Sequence, residues 1–168
     1  MLRHLFVILA TLVVLNSGQV TVQTESDDQD SDAVQAQKKE IIEATKKLLT
    51  AIAAGDLDAY KKMCHPSLTS FESESLGVLV KSTEFHRYFI ENVVQQPGVS
   101  HTLIVSPYVH MLGEDAAYIT YIRLTQNIGA DKKGQTSRAE ETRIWQRENG
   151  AWLNIHFHRT GATSLHTK

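Results

Sequence analysis

Three helical segments followed by a meander of long strands predict an α+β domain. The helices are read from apolar residues at a spacing of about 3.6 in the first half of the chain. The strands are read from four alternating stretches in the second half, parted by turns rich in Gly, Asn and Asp. A further observation concerns what these strands carry. Arg123, Arg143 and Arg159 lie on segments that otherwise read as sheet core. A guanidinium is almost never buried without a partner, so inward-facing arginines imply a concave site that receives negative charge.

The first helix begins near Ala33, where Ile41, Ile42, Thr45, Leu48, Leu49 and Ile52 form one stripe. Gly55 ends it as a left-handed cap, and Asp56 caps a short second helix that runs to Met63 and is stopped by Pro66. Residues 68–71 read as a short strand. Thr83 and Glu84 open a third helix with Phe85, Phe89, Ile90 and Val93 on its buried side. Strands follow at 100–112, 116–128, 136–147 and 152–160, with turns at Gly113, at 129–134 and at Glu148-Asn149-Gly150.

Strand parity decides whether the arginines meet. A three-residue hairpin at 148–150 pairs Arg147 with Ala151, which puts Arg143 and Trp145 on the face of Ile155, Phe157 and Arg159. Trp152, Asn154, His156 and His158 then point away. A two-residue loop at Asn149-Gly150 would instead separate Arg143 from Arg159, because a one-residue slip reverses a strand's faces. A five-residue loop in the 129–134 region adds Arg123 to the same face, together with Tyr121 and Glu141. On the opposite face Tyr118, Ile122 and Leu124 are apolar too. Helices cover the concave side, and a second subunit is the natural cover for the convex one.

With 168 residues, 42% hydrophobic, the chain suits one domain with its own core, expected at 34–162. Residues 1–18 place Arg3 and His4 before an apolar run of signal-peptide length. An exported protein is therefore expected, with membrane attachment only if that leader stays uncleaved. Residues 19–33 are an acidic linker carrying Glu25, Asp27, Asp28, Asp30 and Asp32, and 163–168 a tail. The single Cys64 reads as a small buried hydrophobe. No Cys/His cluster has metal spacing, and no cofactor motif is present. A net charge of −2 without a basic block gives nucleic acid no footing. Within the sequence read here there is no Gly-rich nucleotide loop, His-Arg-Asp or Asp-Phe-Gly, so phosphoryl transfer is not expected.

Several segments in register resemble the association (hub) domain of calcium/calmodulin-dependent protein kinase II. They are Ile41-Ile-Glu-Ala-Thr-Lys-Lys-Leu-Leu, Lys62-Met-Cys-His-Pro, Phe85-His-Arg-Tyr-Phe, Tyr121-Ile-Arg-Leu-Thr-Gln, Glu140-Glu-Thr-Arg-Ile-Trp and His156-Phe-His-Arg-Thr-Gly. The resemblance runs from about Gln37 to Gly161. It implies the cone-shaped nuclear transport factor 2-like (SnoaL-like) fold and assembly into dimers and closed rings, here as a hub without its kinase. It also implies a pocket in which His86, Arg123, Arg143 and Arg159 hold a small carboxylate, such as a 4-hydroxybutyrate analogue. One motif departs: the family's Glu-Asn-Leu-Trp reads Glu91-Asn-Val-Val94, so the gating Trp is absent. Calmodulin is not an expected partner, because no basic amphipathic target helix is present.

Two other readings stand beside ligand binding. In one, Glu141 neutralises the arginines and the domain is a pure oligomerisation scaffold. In the other, His86 serves as base and Tyr121 as proton donor of a SnoaL-like isomerase or cyclase.

Overall fold

A computed structural model describes residues 30–92, 99–128, 133–161 and 163–166. The expected leader, most of the acidic linker, Val93, Val94 and residues 129–132 lie outside them. The first helix, α1 (Asp32–Ala54), starts where the Ser31 hydroxyl accepts the Val34 amide, and ends at Gly55 with φ 69°. Its stripe buries Ile41, Thr45, Leu48 and Leu49. Asp56 then caps α2 (Leu57–Lys62) by accepting the Ala59 amide at 2.9 Å. This short helix buries Tyr60.

The strand expected at 68–71 is longer, β1 (Cys64–Phe71), and admits Pro66 in extended backbone. A 3₁₀ turn (Ser73–Ser75) and a two-residue strand, β2 (Val80–Lys81), went unread in the sequence; both are too short to show periodicity. The third helix, α3 (Glu84–Asn92), buries His86 and Ile90, with Phe85 and Phe89 half-buried beside them. Four long strands follow: β3 (Val99–Met111), β4 (Ala116–Ile128), β5 (Gly134–Glu148) and β6 (Ala151–Arg159). The residues read as a tail supply β7 (Thr163–His166), which pairs antiparallel with the start of β5.

The sheet runs β2-β1-β6-β5-β4-β3, antiparallel except where β1 joins β6 in parallel. Helix α1 packs over its concave face. There Ile41, Leu48 and Leu49 meet Ala117, Ile119, Tyr121, Trp145 and Phe157 in one core. Arg147 and the Trp152 indole both reach Glu40 of α1, each at 2.9 Å. Cys64 is buried in the same core, as expected.

Strand register settles the arginine question by an unexpected route. The β5–β6 loop has two residues, not three, since Glu148 pairs with Ala151. Asn149 (φ 50°) and Gly150 (φ 78°) adopt the paired left-handed conformations of a tight hairpin turn. That loop alone would have separated Arg143 from Arg159. A bulge at Ile155, between the pairs Trp145↔Asn154 and Ile144↔His156, restores the parity. Arg143 therefore lies opposite Phe157, and Glu141 opposite Arg159. Below the bulge the faces exchange: Trp152 and Asn154 point toward the helices, contrary to the expectation from a three-residue loop. The β4–β5 register matches the expected five-residue connection, with Ile128 opposite Gly134.

Candidate functional site

On the concave face Tyr121 stands directly opposite Glu141, and Glu141 opposite Arg159. This puts one acid at the centre of the arginine cluster. Its Oε2 accepts from the Tyr121 hydroxyl at 2.5 Å and from Arg143 Nη2 at 2.8 Å. Its Oε1 forms an ion pair with Arg123 Nη1 at 2.9 Å. Glu141 and Arg143 are each only 2% exposed, where unpaired charge would be costly. Burial alone would raise the Glu141 carboxyl, but Arg143 and Arg123 hold it below the usual carboxylate range.

Every arm of Arg143 is taken. Nε donates to the Tyr121 oxygen at 2.9 Å and Nη1 to Asn154 Oδ1 at 3.0 Å, while the guanidinium lies 4.6 Å from the centre of the Phe157 ring. Asn154 also fixes the bulge: its Nδ2 donates to the carbonyls of Ile144 and His156, each at 2.9 Å. The residue that corrects the strand register is thus the residue that holds Arg143.

A second cluster forms where β1, the 3₁₀ turn and α3 converge. His86 bonds Tyr60 Oη through Nδ1 at 3.0 Å and Glu72 Oε1 through Nε2 at 2.8 Å, with Ser70 Oγ 3.2 Å from Nε2. Arg159 Nη2 donates to Glu72 Oε2 at 3.0 Å and to Glu74 Oε2 at 2.5 Å. Burial opposes the charge on Glu72, yet His86 and Arg159 hold its carboxyl low. Burial likewise works against the Arg159 cation, and Glu74, Glu141 and Glu72 raise it.

The structure thus brings His86, expected from the family resemblance, together with Tyr121, Arg123, Glu141, Arg143 and Arg159, which the parity argument places on one face. It adds Tyr60, Ser70, Glu72, Glu74 and Asn154, which both arguments missed. The spacing of Leu57 and Tyr60 on a capped helix was a readable sign for Tyr60. No comparable sign marks Glu72 or Glu74, because they follow a strand end whose position the sequence leaves open. Asn154 was assigned to the wrong face for want of the bulge.

Between the clusters lies a cavity of about 200 Å³. Ile52, Phe89, Ile90 and Phe157 form its apolar wall, and Glu72, Glu74, His86, Arg123, Arg143 and Arg159 its polar one. The two arginines nearest solvent are the less engaged ones. Arg123, with its side chain 21% exposed, has Glu141 as its sole ion-pair partner among the described residues. Arg159, 12% exposed, uses one terminal nitrogen for both carboxylates. Burial, with Arg159 and Arg143 as like-charged neighbours, lowers Arg123 against the pull of Glu141. Among the described residues no group of three or more His, Cys, Asp or Glu is placed to hold a metal ion.

A layered cone of helices on a bent sheet, with charged groups inside its mouth, is a nuclear transport factor 2-like architecture. A Salmonella enterica structure of that superfamily matches at a TM-score of 0.64, covering 76% of this chain and 92% of that one. At 18% identity it shows the fold alone. The sequence profile of the calcium/calmodulin-dependent protein kinase II association domain matches residues 37–163, and the chain belongs to that family. It is similar to the association domain of the C. elegans kinase, at 37% identity and a TM-score of 0.74, over 78% of this chain and 100% of that one. It is also 45% identical over 162 residues to calcium/calmodulin-dependent protein kinase type II subunit delta of Oryctolagus cuniculus. That match takes in 94% of this chain but spans only 30% of the relative's length.

Proposed function

We propose that this chain is a self-associating hub-type domain that binds a small carboxylate between Arg123 and Arg159. Membership of an association-domain family supports assembly, and so does the convex face of the sheet. There Leu103, Val105 and Tyr108 are 38, 37 and 47% exposed, and Tyr118, Ile122 and Leu124 lie half-buried on the next strand. These apolar side chains on neighbouring strands suit contact with a second copy. The observation that carries the ligand proposal is the cavity itself, which sets guanidinium donors beside an apolar wall. Arg is suited to carboxylate recognition, and partial burial strengthens each charge-assisted bond.

His86 and Arg143, fully bonded to the protein, serve as supports that position the ligand-facing groups. The same bonding argues against the enzyme alternative. Burial and the Glu141 carboxylate push the Tyr121 hydroxyl well above the usual phenol range, so it is a poor proton donor. The scaffold alternative draws on a specific observation: three carboxylates already face three arginines. We further propose export directed by residues 1–18, which N-terminal mass analysis of protein recovered outside the expressing cell checks.

Two measurements test the main proposal. Light scattering on residues 19–168 should give a mass above that of a dimer, and Ile122→Lys should reduce it; a monomer at high concentration overturns association. Formate, acetate, butyrate and phosphate should raise the unfolding temperature of the wild type, as binding to the native state requires. The shift should vanish in Arg123→Gln, which leaves Glu141 paired with Arg143. Absence of any shift leaves the scaffold function.

A further inference from the structure

The two carboxylates on Arg159 are not equivalent. Glu72 is buried, and its Oε1 is also held by His86 and Ser70. The Glu74 side chain is 35% exposed, and Arg159 is its sole ion-pair partner among the described residues. It stands on the three-residue 3₁₀ turn, followed by Leu76 at φ 53° and Gly77 at φ 80°. Leu76 is 91% exposed, so little packing anchors the turn on that side. Charge gives the arrangement a consequence. Glu72, Glu74 and Glu141 balance Arg123, Arg143 and Arg159, so an entering anion is unmatched unless one carboxylate withdraws. Glu74 is the one with the fewest bonds to lose.

We infer that Glu74 is a tethered stand-in for the pocket's ligand, displaced from Arg159 when a small monocarboxylate with an apolar tail enters. The inference rests on the carboxylate pocket proposed above and adds what regulates it and what it selects. Ile52, Phe89 and Ile90 receive the tail. A single charge replaces the single charge withdrawn, whereas a second carboxylate at the end of the tail would be set against the apolar wall of Ile52, Phe89 and Ile90. A tethered competitor lowers the fraction of molecules able to bind and weakens apparent affinity by that fraction.

Calorimetric titration of sodium butyrate and sodium succinate into the full chain, as wild type, Glu74→Gln, Glu74→Ala and Arg123→Gln, tests this. Both Glu74 variants should bind butyrate about tenfold more tightly than the wild type, as expected if the stand-in occupies Arg159 nine-tenths of the time. Succinate should bind more weakly than butyrate in the wild type. Butyrate should also speed amide hydrogen exchange across residues 73–77 of the wild type, because the turn is released. Equal butyrate affinity in wild type and both Glu74 variants, lost in Arg123→Gln, overturns the stand-in while the pocket survives. No butyrate binding in any of them overturns both.

Discussion

Glu141→Gln isolates charge from shape at the centre of the site. The amide keeps the volume and one acceptor oxygen, so the packing around this residue, only 2% exposed, is preserved. What is lost is the negative charge that accepts from Tyr121 at 2.5 Å and Arg143 at 2.8 Å and pairs with Arg123 at 2.9 Å. A hydrogen bond to a charged group contributes about 1.5–3 kcal/mol, against about 0.5–1.5 kcal/mol for a neutral one. Two such downgrades, with Arg143 left buried and uncompensated, give about 3–5 kcal/mol of destabilisation, the usual cost of removing one partner from a buried pair. Against a total stability of about 5–15 kcal/mol, that is a large fraction.

Urea unfolding at fixed protomer concentration measures the loss, the fixed concentration being needed because association contributes to apparent stability. The cycle of Glu141→Gln, Arg143→Met and the double variant then isolates the pair. The double variant should be more stable than the sum of the single losses implies, since neither partner is then stranded. A parallel arm uses Glu141→Ala, which opens a carboxylate-sized space beside Arg143. Acetate at ten times its dissociation constant should return about 1.4 kcal/mol to that variant. A loss below about 1 kcal/mol in Glu141→Gln, with additive behaviour in the cycle, would refute the view that this carboxylate organises the arginines.

Acid should unfold the domain through the same groups. Glu72 and Glu141 have folded-state values held below 4.5, so the stability they supply is complete above that pH and lost as pH falls through the folded values. Urea midpoints between pH 7 and pH 3 check the sign, and a midpoint that rises on acidification contradicts it. Cys64, 5% exposed and with its thiol pushed up to about 11 chiefly by burial, should react with a thiol reagent at pH 8 only at the rate of unfolding. Fast stoichiometric labelling of the folded protein would show an open thiolate instead. Gly150→Ala places a side chain at φ 78° with no atom within 4 Å of the new Cβ, so only the backbone conformation opposes it. A loss of about 1 kcal/mol in the same unfolding assay is expected.

Periodicity made the helices and long strands legible, because burial acts on many residues at once. The stripe of α1 and the capping roles of Gly55 and Asp56 needed no tertiary knowledge. Parity was harder, since it depends on counting, and a count has no redundancy. The two-residue loop at Asn149-Gly150, the disfavoured alternative in the sequence, and the bulge at Ile155, unread there, cancel, so the arginines converge although the turn is shorter than expected. What a parity count cannot carry is Asn154, whose side chain ties both bulge carbonyls and Arg143. The positive half of the site was visible because Arg on an apolar strand violates a local rule. Of its negative half only Glu141 was, by its place on the same strand face; Glu72 and Glu74 sit in a polar segment where acids violate no such rule. A site that binds an anion and a site that is already neutral therefore look alike in this sequence. On the inference drawn for Glu74, the difference lies in how firmly it holds Arg159, a property of a three-residue turn rather than of any repeating pattern.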